Sequence, residues 1–279
     1  PTQLTRSLSF KELPGLFAAG QVNGSSGYEE AAAQGLVAGI NAALHVQGKP
    51  AFILNRSEAY IGVLIDDLVT KGTDEPYRIM TSRAEFRLLL RHDNADLRLT
   101  KRGYDIGLVS DLRYTRTEKK RQIIESTIHQ LRTTNIAPTP QIQQFLLAAG
   151  TTELRTGSSL FELLKRPMVT YAGLQSLFDL PALSLEEQLQ LEVVIKYEGY
   201  INKQFEQVQR ATSLENKLIP PNLNYGEIVG ISTEARQKLT TIRPESIGQA
   251  ARISGVSPAD ISLLLIFIEQ QRRRQSGES

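Results

Sequence analysis

Along most of this chain hydrophobic residues recur at helical spacing, and the elements they predict are helices joined by short loops. A helix is expected over Tyr28 to about His45, rich in Ala, with Leu36, Ile40 and Leu44 on its apolar face. Another is expected over Arg116 to Leu131, where Ile124, Ile128 and Leu131 share one side, and shorter pieces over Gln141 to Ala149 and Leu160 to Arg166. Ser184 and Glu187 form a capping-box pattern that opens a long helix, with Leu189, Val193, Tyr197, Tyr200, Ile201, Phe205 and Val208 on its inner side. Pro220 and Pro221 interrupt the chain, and three short helices follow at about 232–241, 244–253 and 258–270. Ser257 caps the last of them, Pro258 occupies its first position, and Ile261, Leu264, Leu265 and Ile268 form a core face. The tail beyond Gln270, with Arg272, Arg273 and Arg274, is expected to fray.

The first 47 residues differ. A short apolar run, Leu13 to Ala19, reads as a strand that enters a glycine-rich turn and then the helix from Tyr28. Strand, glycine loop and helix make a half-unit of a doubly wound nucleotide-binding sheet. The expected fold class is therefore mostly α, with helical domains preceded by the last strand-loop-helix of an α/β nucleotide-binding, Rossmann-like domain. The expected domain bounds are 1–47, 48–215 and 216–279. The opening Pro1 and this incomplete layer suggest a fragment of a longer protein.

Composition narrows the chemistry. The 279 residues contain no Cys, which removes disulfides and thiolate chemistry, and only three His (His45, His92, His129), widely spaced, so no metal site is expected. No apolar run approaches the roughly 20 residues that span a bilayer, so no membrane association is expected. The lack of Cys fits a reducing compartment, and the expected location is the cytoplasm. Net charge is only +2, so any nucleic-acid binding has to rest on local charge.

Two segments carry candidate chemistry. In the glycine loop, Gly20, Gly24 and Gly27 permit positive φ and close ligand approach, and the following helix offers free N–H groups and a partial positive charge. Such a site suits a pyrophosphate or a flavin edge, with Gln21 and Asn23 as hydrogen-bonding side chains. A ligand-free strand-to-helix turn needs the same glycines, and Glu29 and Glu30 favour the helix dipole in either case. Between Lys71 and Arg102, eight basic residues face five acidic ones, a local balance of +3. Ser82 and Glu85 read as another capping box, which would start a helix with Arg83, Arg87 and Arg91 in one cationic stripe and Phe86, Leu89 and Leu90 inward. A strand is the competing local reading. The stripe could pair with phosphates, or be a solvated face with internal ion pairs. Asp66 and Asp67 point about 100° apart on a helix, which argues against a shared ligand and for structural roles. Tyr60 and Tyr77 could stack on a base or sit in a core.

The segment GLFAAGQVNGSSGYEEAAAQGLVAG at 15–39 and the block YIGVLIDDLVTKGTDEPYRIMTSRAEFRLLLRHDNADLRLT at 60–100 resemble the MnmG/GidA family of flavin-dependent tRNA wobble-uridine modification enzymes. Shorter stretches at 198–204, 231–239 and 252–261 are similar to the same family, so the likeness runs nearly end to end. The resemblance implies that 1–47 is the C-terminal piece of an FAD-binding domain, 48–215 a helical tRNA-binding domain and 216–279 a helical subdomain for partner docking, with FAD contacts from Gly20, Gln21, Asn23, Gly24, Gly27, Tyr28 and Glu29. It implies tRNA contacts from Lys71, Arg78, Arg83, Arg87, Arg91 and Arg98, with Arg78 and Arg87 foremost. It further implies NADH and a methylene-folate donor, a GTPase partner (MnmE) docked on the C-terminal helices, and a homodimer. Catalytic residues remain unassigned, because the family's N-terminal dinucleotide fingerprint and its cysteines are missing here. Catalysis is thus expected of the longer protein, and this chain is expected mainly to bind tRNA and partner. The alternatives are a non-catalytic helical RNA-binding and docking module, or another FAD oxidoreductase acting on small molecules. Gly255 between two short helices also resembles helix-hairpin-helix phosphate binding.

Overall fold

The computed structural model describes residues 1–276, with side chains through Arg273. The last expected tail residues, 277–279, lie outside the described residues. Helices dominate: α1 (Tyr28–Val46), α2 (Tyr60–Lys71), α3 (Ala95–Asp105), α4 (Asp111–Thr133), α5 (Pro140–Ala148), α6 (Leu160–Leu164), α7 (Tyr171–Gln175), α8 (Leu185–Lys196), α9 (Glu198–Glu215), α10 (Thr233–Ile242), α11 (Ile247–Arg252) and α12 (Pro258–Ser276). The one ladder among the described residues pairs β1 (Asn135–Ile136) with β2 (Ser158–Ser159) antiparallel. Two compact units result: residues 1–87 with those from 206 onward, and residues 88–205.

In the first unit the apolar run at 13–19 does not build a regular strand. It makes an isolated bridge, Ser9 with Phe17, supported by Phe10 N–H to Leu16 O (2.9 Å) and Ala18 N–H to Leu8 O (3.1 Å). Pro14 lacks a donor and Gly15 turns the chain at φ +89°, so the run cannot continue a ladder. Helix α1 matches its expected span, but its face is rotated. Gln34, Val37, Ala38, Asn41 and Leu44 are buried, whereas Leu36 is exposed. Two amides enter the core because backbone partners wait there: Asn41 bonds both the N–H (2.7 Å) and the C=O (3.0 Å) of Phe52.

The unit is braced by a buried guanidinium. Arg56 donates to Asp66 (3.1 Å), Asp67 (2.7 Å), Glu85 (2.9 Å) and the carbonyl of Arg83 (3.2 Å). Asp66 also receives a bidentate pair from Arg252 of α11 (2.7 and 2.8 Å), which ties α2 to the C-terminal helices. Asp67 receives Lys71 (2.8 Å) and the Tyr77 hydroxyl (2.8 Å). The two adjacent aspartates therefore do share a partner, because one guanidinium nitrogen, Nη1 of Arg56, lies between their carboxylates and donates to both. Burial alone would lower the Arg56 pKa, but Asp67, Asp66 and Glu85 outweigh it and raise it further. Tyr77 is core, and both burial and Asp67 push its pKa up.

This network explains why the expected helix from Ser82 is absent. Thr81–Arg83 make a single 3-10 turn, after which the chain runs through turns. The carboxylate that a capping box would need, Glu85, is held by Arg56 instead. Phe86, Leu89 and Leu90 are nevertheless buried, as the apolar pattern required.

Helices α10, α11 and α12 occur where expected and enclose their own core of Ile228, Ala235, Leu239, Ile247, Ala250 and Leu264. Asp260 locks two of their starts together. It accepts from Ser232 N (2.8 Å), the N-cap of α10, and from Ser257 N (2.9 Å) and Oγ (2.6 Å), the residue preceding α12. The N–H of Ser232 and the Ser257 hydroxyl hold its pKa down at about 2. The segment beyond Gln270, expected to fray, continues α12 to Ser276.

The second unit packs α4, α6, α7 and α8 around Leu131, Leu160, Leu164, Tyr171, Leu174, Leu191 and Ile195. The Ser184–Glu187 capping box forms as expected. The expected long helix breaks at Tyr197, and its buried side is Gln190, Leu191 and Ile195, while Leu189, Tyr197, Tyr200 and Phe205 are exposed. The core selects Leu191 and Ile195, four residues apart, and this rotates the aromatic stripe outward.

Two tests follow from these contacts. Arg56→Met leaves Asp66 and Asp67 buried without their shared cation and should destabilise the chain by about 3 kcal/mol in urea unfolding. An unchanged midpoint would remove the network from its bracing role. For Asp260, a folded pKa below the ordinary carboxylate value adds stability that is complete above the unfolded pKa and lost as pH falls through the folded one. Melts from pH 6 to pH 2 should show a pH-dependent loss of about 2 kcal/mol that Asp260→Asn does not show.

Candidate functional site

The glycine loop starts as a 3-10 turn, Gly20–Asn23, and closes through Gly24 (φ +79°) onto Gly27, the N-cap of α1. Gln34, one and a half turns into α1, organises it. Its oxygen accepts from Gly20 N (3.0 Å) and Asn23 Nδ2 (3.0 Å), and its amide donates to Ser25 Oγ (2.8 Å). Asn23 also donates to Ala18 O (2.9 Å) and is buried, so its side chain fixes the loop. Gln21, Tyr28 and Glu29 are exposed.

The loop is stitched to the basic block. Tyr77 N–H donates to Gly24 O (2.8 Å), and Ile79 N–H donates to Glu30 Oε1 (3.0 Å). Glu30 is 4 % exposed, and its other oxygen lies 3.5 Å from the Arg78 guanidinium. The Ile79 N–H chiefly, with Arg78, holds the Glu30 pKa below the usual carboxylate value. Close approach accounts for two of the glycines. A Cβ on Gly27 would stand 1.9 Å from Glu30 and 2.2 Å from Arg78, and one on Gly24 would stand 2.3 Å from Thr73.

The six basic candidates separate into engaged and displayed groups. Arg91 bonds Asp93 (3.2 Å) and the Leu88 carbonyl (2.6 Å), and Arg98 bonds Asn94 (2.8 Å) and the Arg91 carbonyl (3.0 Å). Lys71 is exposed but paired with Asp67. Arg78 is exposed beside Glu30, and Arg83 lies with its guanidinium carbon 4.5 Å from the centre of the Tyr77 ring. Arg87 is exposed and has no ion pair or side-chain hydrogen bond among the described residues. The expected i, i+4, i+8 stripe is therefore not a helix face; three arginines emerge from irregular backbone in the first unit. Gly255 has φ +89° and faces the carboxylate of Glu234, which does not suit a phosphate.

Sequence reasoning missed Gln34, Glu30, Arg56 and Arg252. A polar residue inside the apolar stripe of α1 was the available signal for Gln34. The Arg56 and Arg252 pairings carry no local signal. Among the described residues no cluster of three or more potential metal-binding side chains exists, and no helix is long and apolar enough to cross a membrane.

Comparison with known proteins agrees across the chain. Residues 1–50 match the family model described as glucose inhibited division protein A. Residues 111–205 match the tRNA modifying enzyme MnmG/GidA C-terminal helical domain, and 207–279 match its C-terminal helical bundle. The tRNA uridine 5-carboxymethylaminomethyl modification enzyme MnmG of Caldicellulosiruptor saccharolyticus is 58% identical over 277 residues, covering 98% of this chain and 44% of that protein. That of Clostridium kluyveri is 57% identical, covering 99% and 44%. Aquifex aeolicus GidA in its form II crystal superposes with a TM-score of 0.82 at 39% identity, covering 96% of this chain and 42% of that one. The form I crystal gives 0.80 at 39% identity. The chain thus spans somewhat under half the length of these relatives, and by sequence and fold it belongs to the MnmG/GidA family of tRNA-modifying enzymes.

Proposed function

We propose that this chain is the RNA-facing and partner-facing part of an FAD-dependent enzyme that adds a (carboxymethyl)aminomethyl group to C5 of the tRNA wobble uridine. The observation that carries this reading is the join between the two candidate segments. Tyr77 and Ile79 bond Gly24 and Glu30, so Arg78 and the glycine loop form one surface, with Arg83 and Arg87 exposed on the same block. An RNA bound on these arginines through its phosphates would then lie beside the loop. The uridine modification in the relatives' name supports the substrate.

The loop residues fit one edge of a flavin nucleotide. Gly20 has positive φ and lies buried against Ala31, which sets the turn, while the first turn of α1 offers N–H groups and Gln21, Tyr28 and Glu29 are exposed to reach a ligand. Asn23, Gly24 and Gly27 shape the loop. The flavin supplies redox chemistry when bound; this chain's residues orient it and hold the RNA. NADH and a methylene-folate donor act with the longer protein, whose homodimer and cytoplasmic setting belong to the same reading. The segment 216–279 is the module for the GTPase partner, presenting exposed Val229 and Ile266. The functional modules remain 1–47 for cofactor, 48–215 for tRNA and 216–279 for docking.

A non-catalytic RNA-binding and docking module is the second reading, favoured by the internal engagement of Asn23 and Gln34. Flavin absorbance retained after gel filtration separates the two.

For the RNA surface, tRNA binding across a salt series is the direct test. Each phosphate contact contributes about −0.7 to −0.9 to the log–log salt slope, so Arg78→Ala with Arg87→Ala should flatten it by about 1.5. Equal slopes for parent and variant would make these arginines structural.

A further inference from the structure

Cations also gather in the second unit, inside the segment 48–215 but apart from the six basic candidates. An open groove of about 890 Å³ lies between the first turns of α4 and α8. Its α4 wall presents Arg113, Arg116 and Lys119, spaced three residues apart and therefore on one side of the helix. At about 1.5 Å rise per residue they lie within a Debye length of one another and act as a single positive field.

The groove's carboxylates do not neutralise that wall. Asp96 (2.9 Å) and Glu186 both bind Lys120, which is buried beneath. Glu187 is spent on the Ser184 N-cap, accepting from its N–H (2.7 Å) and its hydroxyl (2.7 Å). Arg113, Arg116 and Lys119 are exposed, and among the described residues none of the three forms an ion pair or a side-chain hydrogen bond. Arg91 and Arg98 are held by internal partners and Arg78 lies beside Glu30, whereas Arg113, Arg116 and Lys119 are exposed without one among the described residues.

We infer that the groove between α4 and α8 is a second phosphate-backbone site for RNA, distinct from the Lys71–Arg98 block. Three unpaired, adjacent cations suit a repeating phosphodiester, which can meet all of them at once, better than a single phosphate. The inference rests on the reading of the chain as RNA-binding.

The test uses the 279-residue chain, a tRNA, and uridine monophosphate as the small phosphate probe. The triple variant Arg113→Gln, Arg116→Gln, Lys119→Gln should lose at least ~10-fold in tRNA affinity at low salt and flatten the log–log slope by about two to three. Arg113→Lys with Arg116→Lys should keep the parent's slope, and matching thermal melts show that the fold is kept. If the triple variant binds like the parent while Arg78→Ala, Arg87→Ala weakens binding, the groove is no RNA site and the proposed function stands. If the parent itself shows no salt-dependent tRNA binding, both fall. Uridine monophosphate binding that the triple variant loses, with tRNA binding intact, would assign the groove to a free nucleotide and overturn the RNA assignment.

Discussion

A buried guanidinium has to be matched by charge on every side, and Arg56 sets the arrangement of the first unit by that requirement. Its donors reach Asp66 and Asp67 on α2, Glu85 29 residues along the chain from Arg56, and the Arg83 carbonyl. Asp66 in turn brings in Arg252 from α11. Removing ions from water costs several kcal/mol each, and a network of this kind stabilises only when nearly every lone pair and proton is used. That condition is met here: Asp67 is completed by Lys71 and the Tyr77 hydroxyl, and although burial alone would raise its pKa, the surrounding donors hold it down.

The display of the basic block follows from the same constraint. With Glu85 committed to Arg56, the residues after Ser82 have lost their helix start, and Phe86, Leu89 and Leu90 bury themselves from turns instead. Arg78, Arg83 and Arg87 are left pointing outward while the backbone around them is held from below. A platform whose backbone is already held limits the ordering cost of meeting a polyanion to the side chains themselves.

Legibility from sequence divides along the range of the interaction. Features set within a few residues were readable: the Ser184–Glu187 box, Ser257 with Pro258, the span of α1, and the three C-terminal helices. The glycine loop was readable as a loop because positive φ at Gly20 and Gly24 demands glycine. Features set at long range were not. Arg252 finds Asp66 across 186 residues, and Arg56 takes Glu85 across 29, the second overriding the local capping-box pattern at Ser82. The same holds for α8 and α9, where period alone could not say whether Leu189 or Leu191 faces the core; packing against α4 and α6 decides for Leu191.

The glycines of the loop carry one further consequence. Gly24 and Gly27 are small because Thr73, Glu30 and Arg78 press against them, so the loop's shape depends on the segment 73–79 as much as on its own residues. A side chain at Gly27 would push first on the Glu30 carboxylate and the Arg78 guanidinium, and hence on the Ile79 N–H that Glu30 accepts. Any ligand that draws Arg78 outward removes the cation nearest the free oxygen of a buried carboxylate, and that oxygen must then find another donor or shift. The loop and the basic block are thus mechanically one object, and a contact made on either surface is felt at the other through Glu30.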